Sequence, residues 1–176
     1  RDAEAEASRR FEASETRLDE AEAFVAHLSE DVSGDALKTK VTAAVLTRRR
    51  SLRRARRDWL GAAACVTSLL ALAEKNGGAL PGTSHSTQGS AAGALLLEAA
   101  ELCVRAKAFD DAKAHAAAAA EALLDPITKK HTAASVRASG TLAFITARLG
   151  DLAGAAQMYR DARHAALATK AFGAAT

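Results

Sequence analysis

The chain has little of what interrupts a helix or builds a sheet. Proline occurs twice in 176 residues, at Pro81 and Pro126, so little forces the backbone out of helical geometry. Seven aromatic residues, five Phe with Trp59 and Tyr159, are too few and too scattered for the stacking platforms of single-strand nucleic-acid binders. No apolar run reaches the roughly 18 to 20 residues that cross a bilayer, because Arg, Lys, Asp or Glu interrupts each candidate. The chain is expected to be soluble or peripherally attached. It begins at Arg1, inside a helical pattern, as a processed or truncated product would.

Reactive constellations are missing too. Cys65 and Cys103 stand far apart in Ala- and Leu-rich helical context, where a small buried thiol is the ordinary state. His27, His85, His115, His131 and His164 have neither the close spacing nor the Cys partners of a zinc site, so no metal and no cofactor is expected. There is no nucleophile elbow, phosphate-binding loop or dinucleotide fingerprint. Asp110 and Asp111 fall in the first turn of a helix, where acids favour the macrodipole. No catalytic residue is nominated, and an enzyme is not expected.

What is present is alanine and a sharp boundary of charge. The 47 Ala carry the best intrinsic helix propensity, and a hydrophobic fraction of 49% suffices for a core. Residues 1–35 hold eleven acids and four bases, whereas residues 36–57 hold nine bases and no acid. Ala7, Phe11, Ser14, Leu18, Ala21, Val25 and Leu28 alternate spacings of four and three, the heptad rule for a seam between helices. After the turn at Ser33-Gly34-Asp35, an apolar stripe runs through Leu37, Val41, Ala44, Val45, Leu52, Ala55 and Trp59, then Ala62, Val66, Leu70 and Ala73. Only the isolated Gly61 interrupts it, which predicts one long helix to Lys75, with a kink near Asp58 to Gly61 as the alternative. The expected fold is all-α. An antiparallel coiled-coil-like hairpin occupies 1–76, a flexible Gly/Ser/Thr-rich linker 77–90, and helical hairpins 91–176.

Four shorter helices follow, near 91–107, 109–124, 129–149 and 152–171, and they share an internal grammar. One pair reads Leu95, Ala99, Leu102, Lys107-Ala108-Phe109-Asp110-Asp111-Ala112, Ala116, Ala119. The other reads Leu142, Ala143, Leu149-Gly150-Asp151-Leu152, Ala155, Tyr159, Ala162. This pattern resembles the tetratricopeptide repeat. The 43 residues from Ala112 to Ala155 are similar to the longer variety of kinesin-light-chain-like proteins, where a His such as His131 opens the unit. Lys107-Ala108 stands where that family has Gly and an acid, and Trp59-Leu60-Gly61-Ala62 echoes the motif faintly. The resemblance implies two αα-hairpins whose first helices line a groove, with Glu101, Arg105, Arg137, Thr141 and Arg148 as candidate partner-binding residues.

The remaining candidate site is the basic run. Arg49, Arg50, Arg53, Arg54, Arg56 and Arg57 span one arc of a helix, with Arg48 alone inside the apolar stripe. Folding the acidic helix back brings Glu12, Glu15 and Asp19 near them, and one neighbour is not expected to answer all six. The reading is a non-catalytic interaction scaffold, a subunit of a larger complex with protein partners. The alternative is a basic helical protein of an RNA-protein particle, such as an organellar ribosome, holding RNA through Arg48 to Arg57.

Overall fold

A computed structural model describes residues 2–27, 32–76 and 88–169, with the backbone alone at 2–4, 32–34 and 88–90. Among the described residues there are seven helices and no strand. They are α1 (Asp2–Ala26), α2 (Val32–Ala55), α3 (Trp59–Lys75), α4 (Gln88–Arg105), α5 (Phe109–Ala122), α6 (Ala133–Arg148) and α7 (Leu152–Thr169). Each packs on its neighbour in sequence, and α4 also meets α6. The all-α expectation holds, as successive antiparallel hairpins.

The long second helix does not: it is two helices, α2 and α3, folded back at Arg56-Arg57-Asp58. Arg57 takes a left-handed backbone, φ 61°, and the Asp58 N–H donates to the Arg53 carbonyl at 2.9 Å. That six-residue closure satisfies carbonyls that the end of a helix leaves open. Asp58 then caps α3, accepting from the Gly61 N–H at 2.9 Å. Gly61 leaves room for the Asp58 carboxylate and the Arg53 guanidinium, which a Cβ there would push aside.

The same turn recurs twice. Ala108 N–H donates to the Cys103 carbonyl at 2.9 Å with Lys107 at φ 63°, and Asp151 N–H donates to Thr146 at 3.2 Å with Gly150 at φ 96°. Asp151 caps α7 through the Gly154 N–H as Asp58 caps α3, whereas Ala108 offers no capping side chain. Counted from these turns, Ala62, Ala112 and Ala155 share one position and Leu69, Ala119 and Ala162 another, all buried. Alanine at the first position in all three, and at the second in α5 and α7, lets those helices approach closely, while Leu69 fills the second position in α3. The structure therefore contains three equivalent hairpins, α2–α3, α4–α5 and α6–α7, where the sequence advertises two.

One core runs through them. Ala62, Ala63 and Val66 of α3 pack with Ala99, Leu102 and Cys103 of α4, Ala112 and Ala116 of α5, and Ile145 of α6. This core crosses the compositional break between 1–76 and 91–176. Residues 77–87 of the expected linker lie outside the described residues, while 88–90 form the first turn of α4.

α6 begins at Ala133 rather than near 129 because Thr132 caps it. Thr132 Oγ1 accepts from the Ser135 N–H at 3.1 Å, and the Ser135 hydroxyl accepts from the Thr132 N–H at 2.9 Å. The Thr132 hydroxyl also donates to the Leu123 carbonyl at 2.6 Å, tying the end of α5 to the start of α6. His131 stands just before that cap, exposed.

α1 lies antiparallel on α2. Its expected seam is its less exposed side: Phe11, Ser14, Leu18 and Ala21 are half-buried and Val25 is buried, while Ala7 is exposed and Leu28 lies outside the described residues. On α2 the buried apolar residues are Ala43, Val45 and Leu46, and the expected stripe members Leu37, Ala44 and Ala55 are exposed.

Candidate partner-binding face

The first helices of the three hairpins, α2, α4 and α6, present the same register positions to one face. Ala44, Thr47, Arg48 and Ser51 of α2 correspond to Ala94, Leu97, Glu98 and Glu101 of α4, and to Arg137, Gly140, Thr141 and Phe144 of α6. Each set lines an open hollow. The hollow on α2 has about 480 Å³ and includes Lys40, and the one between α4 and α6 has about 480 Å³. The third, about 550 Å³, joins Glu101, Val104 and Arg105 to Arg137, Gly140, Thr141 and Phe144, with Tyr159 of α7 at its side.

Ion pairs tie these helices together. Arg50 and Arg54 of α2 each donate to Glu98 of α4 at 2.9 Å. Arg137 of α6 donates to Glu101 of α4 at 2.6 Å, and the Thr141 hydroxyl donates back to the Arg137 carbonyl. The face thus alternates in sign from α2 (basic) through α4 (acidic) to α6 (basic). Of the five groove residues expected from sequence, Glu101, Arg105, Arg137 and Thr141 share the third hollow. Arg148 does not line it; its guanidinium lies over the ring of Phe109 at 5.4 Å.

The basic run is dispersed over several neighbours, not presented as one arc. Arg49 is the most enclosed, its side chain 13% exposed, bonded to Asp19 at 2.5 Å and Glu22 at 3.0 Å on α1. Burial alone would lower its guanidinium pKa; the hydrogen bond to Glu22 and the charges of Glu22, Asp19 and Glu15 outweigh that and raise it. Arg53 pairs with Asp58 at 3.6 Å, and Arg56 lies 4.7 Å over the ring of Phe11. Glu12, Glu15, Asp19, Arg53 and Arg56 line one crevice, so the acids of α1 do come up against the run. Arg48, expected inside the apolar stripe, is exposed instead. Among the described residues, Arg48 and Arg57 are the members of the run without an acidic partner within 4.0 Å or an aromatic ring beneath them.

A relationship that the sequence did not reveal links successive layers. Arg105 lies 5.1 Å over Trp59 as Arg148 lies over Phe109, and the two pairs occupy identical register: the Arg two residues before one turn, the ring two residues after the preceding turn. With Arg56 over Phe11, a guanidinium meets a ring where α2 meets α1, α4 meets α3 and α6 meets α5.

Among the described residues no three His, Cys, Asp or Glu side chains gather as metal ligands. Cys65 and Cys103 are free and buried, and burial pushes both thiols up. No helix of the described residues is long and apolar enough to cross a membrane. Comparison with protein-family models, with curated proteins and with solved structures returns no match.

Proposed function

We propose that the chain is a non-catalytic protein-interaction scaffold built of tetratricopeptide-like hairpins, a subunit of a larger assembly that takes a protein partner across α2, α4 and α6. The observation that carries this reading is the repeated register: on α2, α4 and α6 the same four positions line an open hollow, and the hollows on α4 and α6 share Glu101 and Arg137. A repeated groove of that kind suits an extended or helical segment of another protein.

Occupation of the basic run weighs against the RNA reading. Arg49, Arg50, Arg53 and Arg54 already face carboxylates and Arg56 faces a ring, so phosphate would have to displace them.

Site-specific photo-crosslinking in the native source tests the proposal. A photoreactive residue at Ser51, Glu98 or Phe144 is expected to capture one common protein, and the same group at the exposed Ala117 of α5 is expected not to. Equal capture from both faces, or none from the groove, would refute it.

A further inference from the structure

Gly140 has no part in the packing of the stack. At Gly93 of α4 an added Cβ would meet the Leu123 side chain at 2.6 Å, and Gly150 holds a left-handed turn. At Gly140, in the middle of α6, nothing described lies within 4 Å of that position beyond its own chain neighbours and helix backbone, and no left-handed backbone calls for glycine. Glycine weakens a helix interior relative to alanine, a cost that nothing in the fold offsets here. Its register equivalents, Thr47 of α2 and Leu97 of α4, carry side chains. Gly140 leaves bare the floor of the third hollow, with Phe144 one turn away and 43% exposed. A helix bared in this way admits another backbone at close range.

The face around it is short of negative charge. Four cations line the three hollows, Lys40, Arg48, Arg105 and Arg137, against two carboxylates, Glu98 and Glu101. Both carboxylates are already answered, Glu98 by Arg50 and Arg54 and Glu101 by Arg137. Lys40 and Arg48 are exposed and make no ion pair among the described residues, and Arg105 lies over the ring of Trp59. The complement of this face is acidic.

The face is also short of groups that hold an extended main chain. Side-chain amides bond both N–H and C=O, and among the described residues none lines any of the three hollows. The Ser51 and Thr141 hydroxyls donate to carbonyls of their own helices, which leaves Thr47 at one end of the face and Tyr159 at the other. Both oxygens of Glu98 and one of Glu101 are engaged by arginines. The N–H groups that an extended segment turns into the groove would find few acceptors, and each one unmet costs its desolvation. A helix arrives with its main-chain bonds closed.

Resting on the scaffold reading, we infer that the face takes one amphipathic helix of an acidic partner, whose main chain comes closest at Gly140 and whose carboxylates lie toward Arg48 and Lys40. Gly140 and Arg48 stand two helix spacings apart, about 16 to 20 Å. A helix of about 11 to 13 residues spans that distance.

Peptide selection against the full chain tests it. Two displayed libraries of about 18 residues are offered, one varied along a single helix face with alanine elsewhere, the other with proline at every fourth position, which forbids helix. Binders are expected from the first library alone, enriched in Asp and Glu over the input. Arg48→Glu, and Gly140→Leu, which copies Leu97 of α4 onto α6, should each weaken the selected peptide roughly ten-fold or more. Helical circular dichroism and the denaturation midpoint should not fall in either variant, and Ala117→Glu, on the exposed side of α5, should leave binding as it was. Helical binders indifferent to both substitutions, binders not enriched in acid, or no binder from either library overturn the inference. Proline-library binders that lose affinity with Arg48→Glu overturn the helix and leave the face standing; the face itself fails separately, if crosslinking at Ser51, Glu98 and Phe144 captures nothing.

Discussion

Arg105 stands 5.1 Å over the indole of Trp59, one hairpin away, and its register equivalent Arg148 stands 5.4 Å over Phe109. Such stacks contribute about 0.5 to 1 kcal/mol at partly exposed sites. A double-mutant cycle between Arg148 and Phe109, using Arg148→Met and Phe109→Leu to keep volume, should give a coupling of that size. The parallel cycle at Arg105 and Trp59 should match it. Urea denaturation measures both, and a coupling near zero in each would make the repeated geometry energetically idle.

Left-handed backbone at a residue with a Cβ costs roughly 1 to 2 kcal/mol, and both Arg57 and Lys107 bear it where Gly150 does not. Lys107→Gly should therefore stabilise the protein by about 1 kcal/mol, seen as a higher denaturation midpoint at constant slope. Arg57→Gly should do the same. Glycine placed two residues earlier, at Arg105, should destabilise by more than that, since the stack on Trp59 is lost together with helix propensity.

These turns also explain how far the sequence could be read. Leu149-Gly150-Asp151 was visible as a helix end because Gly marks the left-handed position and Asp the cap. Arg56-Arg57-Asp58 hid the same turn, since Arg favours helix and nothing local betrays its φ of 61°. The heptad side of α1 was legible, because Phe11, Leu18 and Val25 differ clearly from their acidic neighbours. The stripe of α2 was less so: in a chain with 47 Ala, the exposed Ala44 and Ala55 look like core. The dispersal of the basic run depends on Glu98, 48 residues from Arg50, and no local pattern encodes that meeting. The resemblance names Glu101, Arg105, Arg137 and Thr141 together, and these four line one hollow; it could not show that Arg148 lies over Phe109 instead.

The contact of α1 with α2 joins a half-buried apolar seam to a group of ion pairs. Val25 is the buried apolar residue of α1 among those described, and Arg49 with Asp19 and Glu22 occupies the middle of the interface. Because both carboxylates are more than half exposed, Arg49→Met should cost only about 1 kcal/mol. Amide exchange should show that cost confined to α1. Raising salt to 1 M should speed exchange in α1 and spare α3 to α5, since screening acts on the ion pairs and not on the alanine core.

Burial raises the pKa of both cysteine thiols, chiefly through desolvation of the thiolate. Stability from keeping these thiols neutral is fully present below the ordinary thiol value of 9.0 and is lost as pH rises through the raised ones. Unfolding midpoints should thus fall on the alkaline side of pH 9.0 and recover in the Cys65→Ala, Cys103→Ala double variant relative to its own neutral-pH value. At pH 8 a thiol reagent should label the native chain slowly and the urea-unfolded chain at once.

Binding to duplex RNA or DNA, if any is measured, should respond weakly to salt. Each neutralised phosphate on a duplex lowers log K by ~0.9 per decade of salt, and Arg48 and Arg57 are the members of the run with no partner to give up among the described residues. A slope no steeper than about 2 is expected, against about 5 for the six-residue arc acting together. Charge removal separates the cases further. Arg48→Gln with Arg57→Gln should abolish what binding exists, while Arg50→Gln with Arg54→Gln should leave it unchanged and instead loosen α2 from α4 by removing both partners of Glu98. A steep slope that survives Arg48→Gln with Arg57→Gln would mean that phosphate displaces Glu98, Asp19 and Glu22 from their arginines, and the basic run would then be a nucleic-acid surface after all.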